Sequence, residues 1–173
     1  MPITDKFFAI NIRKYLALGD DHEAGEPALI QLLSGFSCPK NPDVEHFLKK
    51  NAIEFTKKNQ SVTYLVFSKD NGEMLGYFTL ALKPLTIRGE TVSNTTKRKL
   101  LRVSELDVKS DTYTMSAYLI AQLGKNYADG RNREIAGKEL IELAWMIIEK
   151  TQYMFGGMVT FLEAEKEEKL LSF

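Results

Sequence analysis

The residues best suited to chemistry lie in one stretch, AQLGKNYADGRNREIAGKEL at positions 121–140. Arg131, Arg133 and Lys138 place three cations within it, and Gly137 stands where a helix would begin. A nearly all-apolar segment comes before and an amphipathic one after, so the stretch reads as a loop leading from a buried strand into a strong helix. The first turn of a helix has backbone N–H groups without intrahelical partners, and they sit at the positive end of the helix dipole. That arrangement binds phosphate or pyrophosphate. Gly137 would let a ligand or strand come close, and the cationic side chains would add charge around it. The alternative is a solvated loop whose arginines pair with Glu134 or Glu139.

Other reactive side chains carry weaker signals. Glu105 and Asp107, in Ser104-Glu105-Leu106-Asp107, form an acidic pair that Arg102 and Lys109 would balance. Cys38 is the lone cysteine, so it forms no internal disulfide and no thiolate zinc cage. It reads as a buried structural thiol, and His22 and His46 read as surface positions. No metal site is expected. Lys83, Arg88, Lys97, Arg98, Lys99 and Arg102 face a single acid, Glu90, in one segment. That local charge could steer RNA or another polyanion. A solvated insert is the favoured reading, since no aromatic residue interleaves the cations to stack bases.

Composition bounds these readings. The chain has 173 residues, 23 Lys+Arg against 23 Asp+Glu, 44% hydrophobic and 27% charged residues. These values suit one folded domain over 1–173 and exclude disorder and a globally basic nucleic-acid coat. No apolar run approaches the roughly 20 residues of a membrane span. The first residues lack a signal-peptide layout, so the reducing cytoplasm is the expected compartment.

The elements that must position the loop follow from periodicity. FFAINI reads as a strand, and residues 26–33 as a helix with Pro27 in its first turn and Gly35 at its end. Asn41 caps a second helix whose apolar face carries Val44, Phe47, Leu48, Ala52 and Phe55. Residues 62–69 and 73–82 form an antiparallel hairpin around Asp70-Asn71-Gly72. Residues 83–111 read as a polar, irregular insert, 112–123 as a buried strand and 135–150 as the longest helix. Gly156-Gly157 breaks the chain, 158–162 form a last strand, and 163–173 open another helix. Trp145 and Tyr153 are expected to pack in the core. The order predicts an α/β (α+β) domain with a mixed, mostly antiparallel sheet and helices on both faces.

At this point the sequence resembles the GNAT superfamily of N-acetyltransferases. Phe36-Ser37-Cys38-Pro39-Lys40-Asn41-Pro42-Asp43-Val44-Glu45-His46-Phe47-Leu48 is similar to the opening of toxin-type members. Met74-Leu75-Gly76-Tyr77-Phe78-Thr79-Leu80 is similar to their "VGYYTL" strand. Gln122-Leu123-Gly124-Lys125-Asn126 stands where R-L-A-V-D is common, and Asn132-Arg133-Glu134-Ile135-Ala136-Gly137 where the Q/R-x-x-G-x-G/A acyl-CoA loop lies. Of that loop's glycines only Gly137 is kept. MVTFLEA at 158–164 matches the strand after the helix. The chain stops before the family's Tyr-x-x-x-Gly-Phe segment, so a GNAT-like fold with the final strands missing is expected.

The resemblance implies a function. Acetyl-CoA would enter a cleft between two splaying parallel strands. Its pyrophosphate would accept N–H bonds along Arg133, Glu134, Ile135, Ala136, Gly137 and Lys138, with Arg131 and Asn132 beside them. Its pantetheine would pair with the strand end at Leu123 and Lys125. An amine acceptor would attack the thioester, with the Leu123 N–H on the oxyanion and Glu105 or Asp107 as general base. Expected partners are therefore acetyl-CoA and an amine, with no membrane. RNA is a weaker expectation, and a homodimer is compatible. Two alternatives stand beside this: a non-catalytic acyl-CoA-binding module, and a toxin that acetylates the amino group of aminoacyl-tRNA.

Overall fold

The computed structural model describes residues 2–157 and 159–162. The chain runs α1 (Ile3–Lys6), β1 (Phe7–Asn11), α2 (Arg13–Leu16), α3 (Glu26–Ser34), α4 (Pro42–His46) and α5 (Ala52–Lys57). A π-helical turn, Phe47–Asn51, joins α4 to α5. There follow β2 (Val62–Ser68), β3 (Met74–Arg88), α6 (Asn94–Leu100), β4 (Glu105–Asp107), β5 (Thr112–Lys125), α7 (Gly137–Phe155) and β6 (Val159–Leu162). The expected helix over 163–173 lies outside the described residues.

The sheet is six-stranded, in the order β1-β2-β3-β5-β4, with β6 also on β5. All pairings are antiparallel except β5 with β6. Helices cover both faces, as expected. Leu29, Leu33 and Leu48 pack with Leu65 and Tyr77 on one side. Leu140, Ala144 and Ile148 of α7 pack with Val66, Phe78 and Ile120 on the other. Strands buried on both faces must be apolar nearly throughout, which is why the β2 and β3 segments carry so few polar residues. Two of their buried polar residues form a matched pair: the Thr63 and Thr79 hydroxyls lie 2.8 Å apart.

Two expectations need correction. The insert is not irregular from residue 83: β3 continues to Arg88, paired residue by residue with β5. The two strands extend as a ribbon, and α6 packs on it through Leu100 against Leu85, Ile87, Tyr113 and Met115. Tertiary pairing here overrides a sequence with weak strand propensity. Trp145 and Tyr153 are not core residues. Trp145 is exposed and donates its indole N–H to Glu149 (2.9 Å), while Tyr153 is 93% exposed.

Candidate functional site

The site forms at the C-terminal half of β5. Thr79 pairs with Gln122 and Leu80 with Ile120, so Ala121 is an extra residue and the strand carries a bulge there. Bulges bend a strand and disturb its ladder. On the other edge of β5, described pairing with β6 ends at Ile120 opposite Leu162. A cleft of about 260 Å³ opens at this place. One wall is Ile120–Leu123 with Leu162; the other is Asn41, Asp43 and Val44 at the start of α4.

Several bonds fix the α4 wall. Asn41 Oδ1 accepts the Val44 N–H (3.3 Å), the N-cap its position predicts. Glu45 accepts the Cys38 N–H (2.7 Å) and the Lys49 ammonium (2.7 Å). Those two donors, the Cys38 amide foremost, hold its carboxyl below the usual glutamate range. Tyr77, fully buried, donates its hydroxyl to the Val44 carbonyl (2.6 Å). Burial pushes that hydroxyl well above an ordinary phenol, so it remains a donor. Gly124 lets α4 come this close: a Cβ there would lie under 3.0 Å from Val44 Cγ1.

Beyond β5 the chain turns through Ala128–Arg133, a 3-10 segment interrupted by left-handed Asp129 (φ 52°) and Gly130 (φ 76°). Lys125 Nζ donates to the Asn132 and Ile135 carbonyls (2.8 and 3.2 Å). Ile135 is buried and anchors the turn in the α7 core. Glu139 accepts the Ala136 N–H (2.8 Å) at the helix cap. The N–H groups of Gly137 and Lys138 have no partner among the described residues. A Cβ on Gly137 would meet nothing within 4 Å, so open space faces the first turn.

The cations divide into two groups. Arg131 is committed internally: its Nε pairs with Glu73 and its Nη2 with Asp129 (3.3 Å), and Glu73 foremost raises its pKa. The sequence had offered Glu134 or Glu139 as partners. Glu134 instead accepts from the Asn71 amide (3.3 Å). Arg133 and Lys138 are exposed and form no ion pair among the described residues. Asn132 meets Lys125 through its carbonyl.

Glu105 and Asp107 do not join the site. They lie on exposed β4, opposite Thr114 and Thr112 at the far end of β5. Eight to ten residues separate those partners from Gln122, about 26–33 Å at the rise of a strand. A general base at the cleft cannot act over that distance. Glu105 borders another groove of about 640 Å³, with Arg102, Ser104 and Ser116. The Ser110 hydroxyl, then the Lys109 amide, hold the Asp107 carboxyl low.

Sequence reasoning missed three features. Asp43 is the carboxylate on the cleft wall. The Ala121 bulge has no composition signal. Asn126, 1% exposed, was read as a loop residue yet is a buried hub. Among the described residues, no group of three or more His, Cys, Asp or Glu is placed to hold a metal, and no helix is long and apolar enough to cross a membrane.

No family model and no curated protein matches the chain. Solved structures do. AtaT complexed with acetyl-methionyl-tRNAfMet superposes with a TM-score of 0.60 at 15% identity, over 94% of this chain and 80% of that one. A KacT mutant gives 0.63 at 18% identity, over 94% and 81%. AtaTR bound with AcCoA gives 0.53 at 15% identity, over 94% and 77%. The chain therefore has a GNAT-like fold, a mixed and mostly antiparallel sheet between helices.

Proposed function

We propose that the chain is an N-acetyltransferase that moves an acetyl group from acetyl-CoA to a primary amine. The observation that carries this reading is the cleft at the Ala121 bulge, taken together with the open first turn of α7 and its two cations that form no ion pair among the described residues. The shared fold supports it, since AtaTR is known bound with AcCoA. The pyrophosphate rests on the N–H groups of Gly137 and Lys138, with Arg133 and Lys138 nearby. The pantetheine lies along the edge of β5 at Leu123 and Lys125, as an added strand would.

The amine nitrogen attacks the thioester carbon, and the oxyanion that forms is met by a backbone N–H at the bulge, that of Leu123 in our assignment. Asp43 holds the incoming ammonium and receives its proton, directly or through water. The C–S bond then breaks, the carbonyl re-forms as an amide while the nitrogen sheds its second proton, and the leaving CoA thiolate takes up that proton. Positioning supplies much of the rate in such a transfer.

The test is calorimetry with acetyl-CoA, followed by thiol release with a panel of amines. Saturable binding and amine-dependent thiol release are expected. No binding at millimolar acetyl-CoA overturns the reading, and binding without turnover replaces it with a non-catalytic acyl-CoA-binding module. A narrower reading concerns the acceptor: α6 presents exposed Arg98 and Lys99, with Arg102 just beyond, at the end of the ribbon. These cations suit an amine carried on a polyanion. AtaT is known in complex with acetyl-methionyl-tRNAfMet. Acetylation of aminoacyl-tRNA that weakens steeply with salt supports this, and loss of the salt effect in Arg98→Ala/Lys99→Ala assigns it to α6.

A further inference from the structure

The Asn126 side chain is bonded to three separate parts of the chain. Its Oδ1 accepts the Ser37 N–H and the Ala128 N–H, both at 3.1 Å. Its Nδ2 donates to the Met74 carbonyl at 2.9 Å. Two N–H donors at the oxygen fix the amide's orientation, because a flipped amide would set N–H against N–H. Ser37 opens the segment that ends in the α4 wall of the cleft. Ala128 begins the turn that leads to Gly137, and Met74 begins β3. One buried amide thus links the segment leading to the α4 wall and the turn leading to α7 to the sheet. The backbone adds to this, with Tyr127 N–H on the Ser37 carbonyl at 2.7 Å and Asn126 N–H on Leu75 at 2.8 Å.

The neighbouring Lys125 secures the far half of the same turn. Its ammonium draws the Asn132 and Ile135 carbonyls toward itself. Carbonyl oxygens repel an anion, and their N–H groups attract one. Holding those two oxygens on the ammonium removes them from the face where a phosphate would sit.

We propose that Asn126 and Lys125 are a pair of positioning residues that fix the turn between β5 and α7 in its anion-receiving form. The proposal rests on the acetyl-CoA reading above and goes beyond it. It assigns the phosphate-binding geometry to two side chains that never touch the phosphate. The scale is adequate, since a buried polar group left unpaired is costly and a tenfold change in affinity needs only about 1.4 kcal/mol.

The test compares two acetyl donors, acetyl-CoA and S-acetylpantetheine, which share the thioester and differ in the phosphates. In the wild-type chain kcat/KM should favour acetyl-CoA. Asn126→Ala should reduce that preference about tenfold by raising KM for acetyl-CoA, with kcat and the S-acetylpantetheine reaction little changed. Lys125→Met should lower kcat/KM for acetyl-CoA more than for S-acetylpantetheine, whose chain meets the Lys125 backbone, and serves as the second variant if Asn126→Ala does not fold. Asn126→Asp keeps the acceptor atom but places an oxygen against the Met74 carbonyl, and should resemble Asn126→Ala. A general loss of structure would lower both reactions together. Equal loss with both donors, or no change with either in a folded variant, overturns the proposal. A wild type that binds acetyl-CoA but shows no preference over S-acetylpantetheine overturns it too, leaving the acetyltransferase reading in place. A wild type that binds neither donor overturns both.

Discussion

Replacing Gly124 by alanine probes the contact on which the cleft wall depends. The added Cβ would sit under 3.0 Å from Val44 Cγ1, 3.2 Å from Tyr77 Cε1 and 3.4 Å from Phe36 Cζ. Carbon atoms in good contact lie about 3.5–4.0 Å apart, so Val44 must retreat by roughly 1–1.5 Å. It cannot do so by rotation, because valine in a helix holds essentially one χ1 rotamer. The start of α4 must move instead, against the Tyr77 hydroxyl bound to its Val44 carbonyl at 2.6 Å. Overpacking of this kind costs about 1–3 kcal/mol. For a chain of this length that corresponds to a fall in Tm of roughly 3–10 °C. The displaced wall carries Asp43, and a shift near 1 Å at a reacting site can lower turnover about 100-fold. Thermal denaturation and thiol release measure the two effects. Val44→Ala removes the methyl that clashes, so the double variant should regain stability relative to Gly124→Ala alone, a coupling that a double-mutant cycle reports. Unchanged Tm and unchanged activity in Gly124→Ala, or strictly additive losses in the double variant, would refute the reasoning.

Three further predictions follow. Arg133→Ala/Lys138→Ala should weaken acetyl-CoA binding about tenfold, with the loss shrinking as salt screens the sites, while Arg131→Ala should lower Tm and leave binding nearly intact, because its charge is spent on Glu73 and Asp129; equal effects on binding would contradict this division. Glu45 has its carboxyl pKa lowered in the folded chain, so its stabilisation is full at neutral pH and lost as pH falls below the ordinary glutamate value near 4.5; Glu45→Gln should flatten the acid side of the Tm–pH curve, and an unaltered acid limb would count against it. Thr63→Val and Thr79→Val should each cost about 1–3 kcal/mol by orphaning the partner hydroxyl, while the double variant should lie close to wild type; denaturant melts giving a simple sum would exclude the pairing.

Much of the framework was legible because it depends on local chemistry. Asn41 and Pro42 mark a helix start wherever the chain goes, and Asn71-Gly72 between two β-rich runs makes a hairpin. What escaped depends on distant partners. Glu73 lies 58 residues from Arg131, and nothing local says that this arginine is consumed there. Asp43 reaches the cleft only because Gly124 and Tyr77 draw α4 onto β5. Glu105 and Asp107 illustrate a different failure. They precede a strand whose far end holds the site, so the length of that strand separates them from it, a consequence of rise per residue that composition does not express. The continuation of β3 to Arg88 was hidden for the same reason as the bulge: both are properties of pairing with β5.

The most direct measurement is a crystal structure of the chain with acetyl-CoA. The pyrophosphate is expected on the N–H groups of Gly137 and Lys138, and the thioester carbon between Asp43 and the bulge at Ala121. Density for the ligand in the Arg102–Glu105 groove, with the α7 first turn free, would contradict the account.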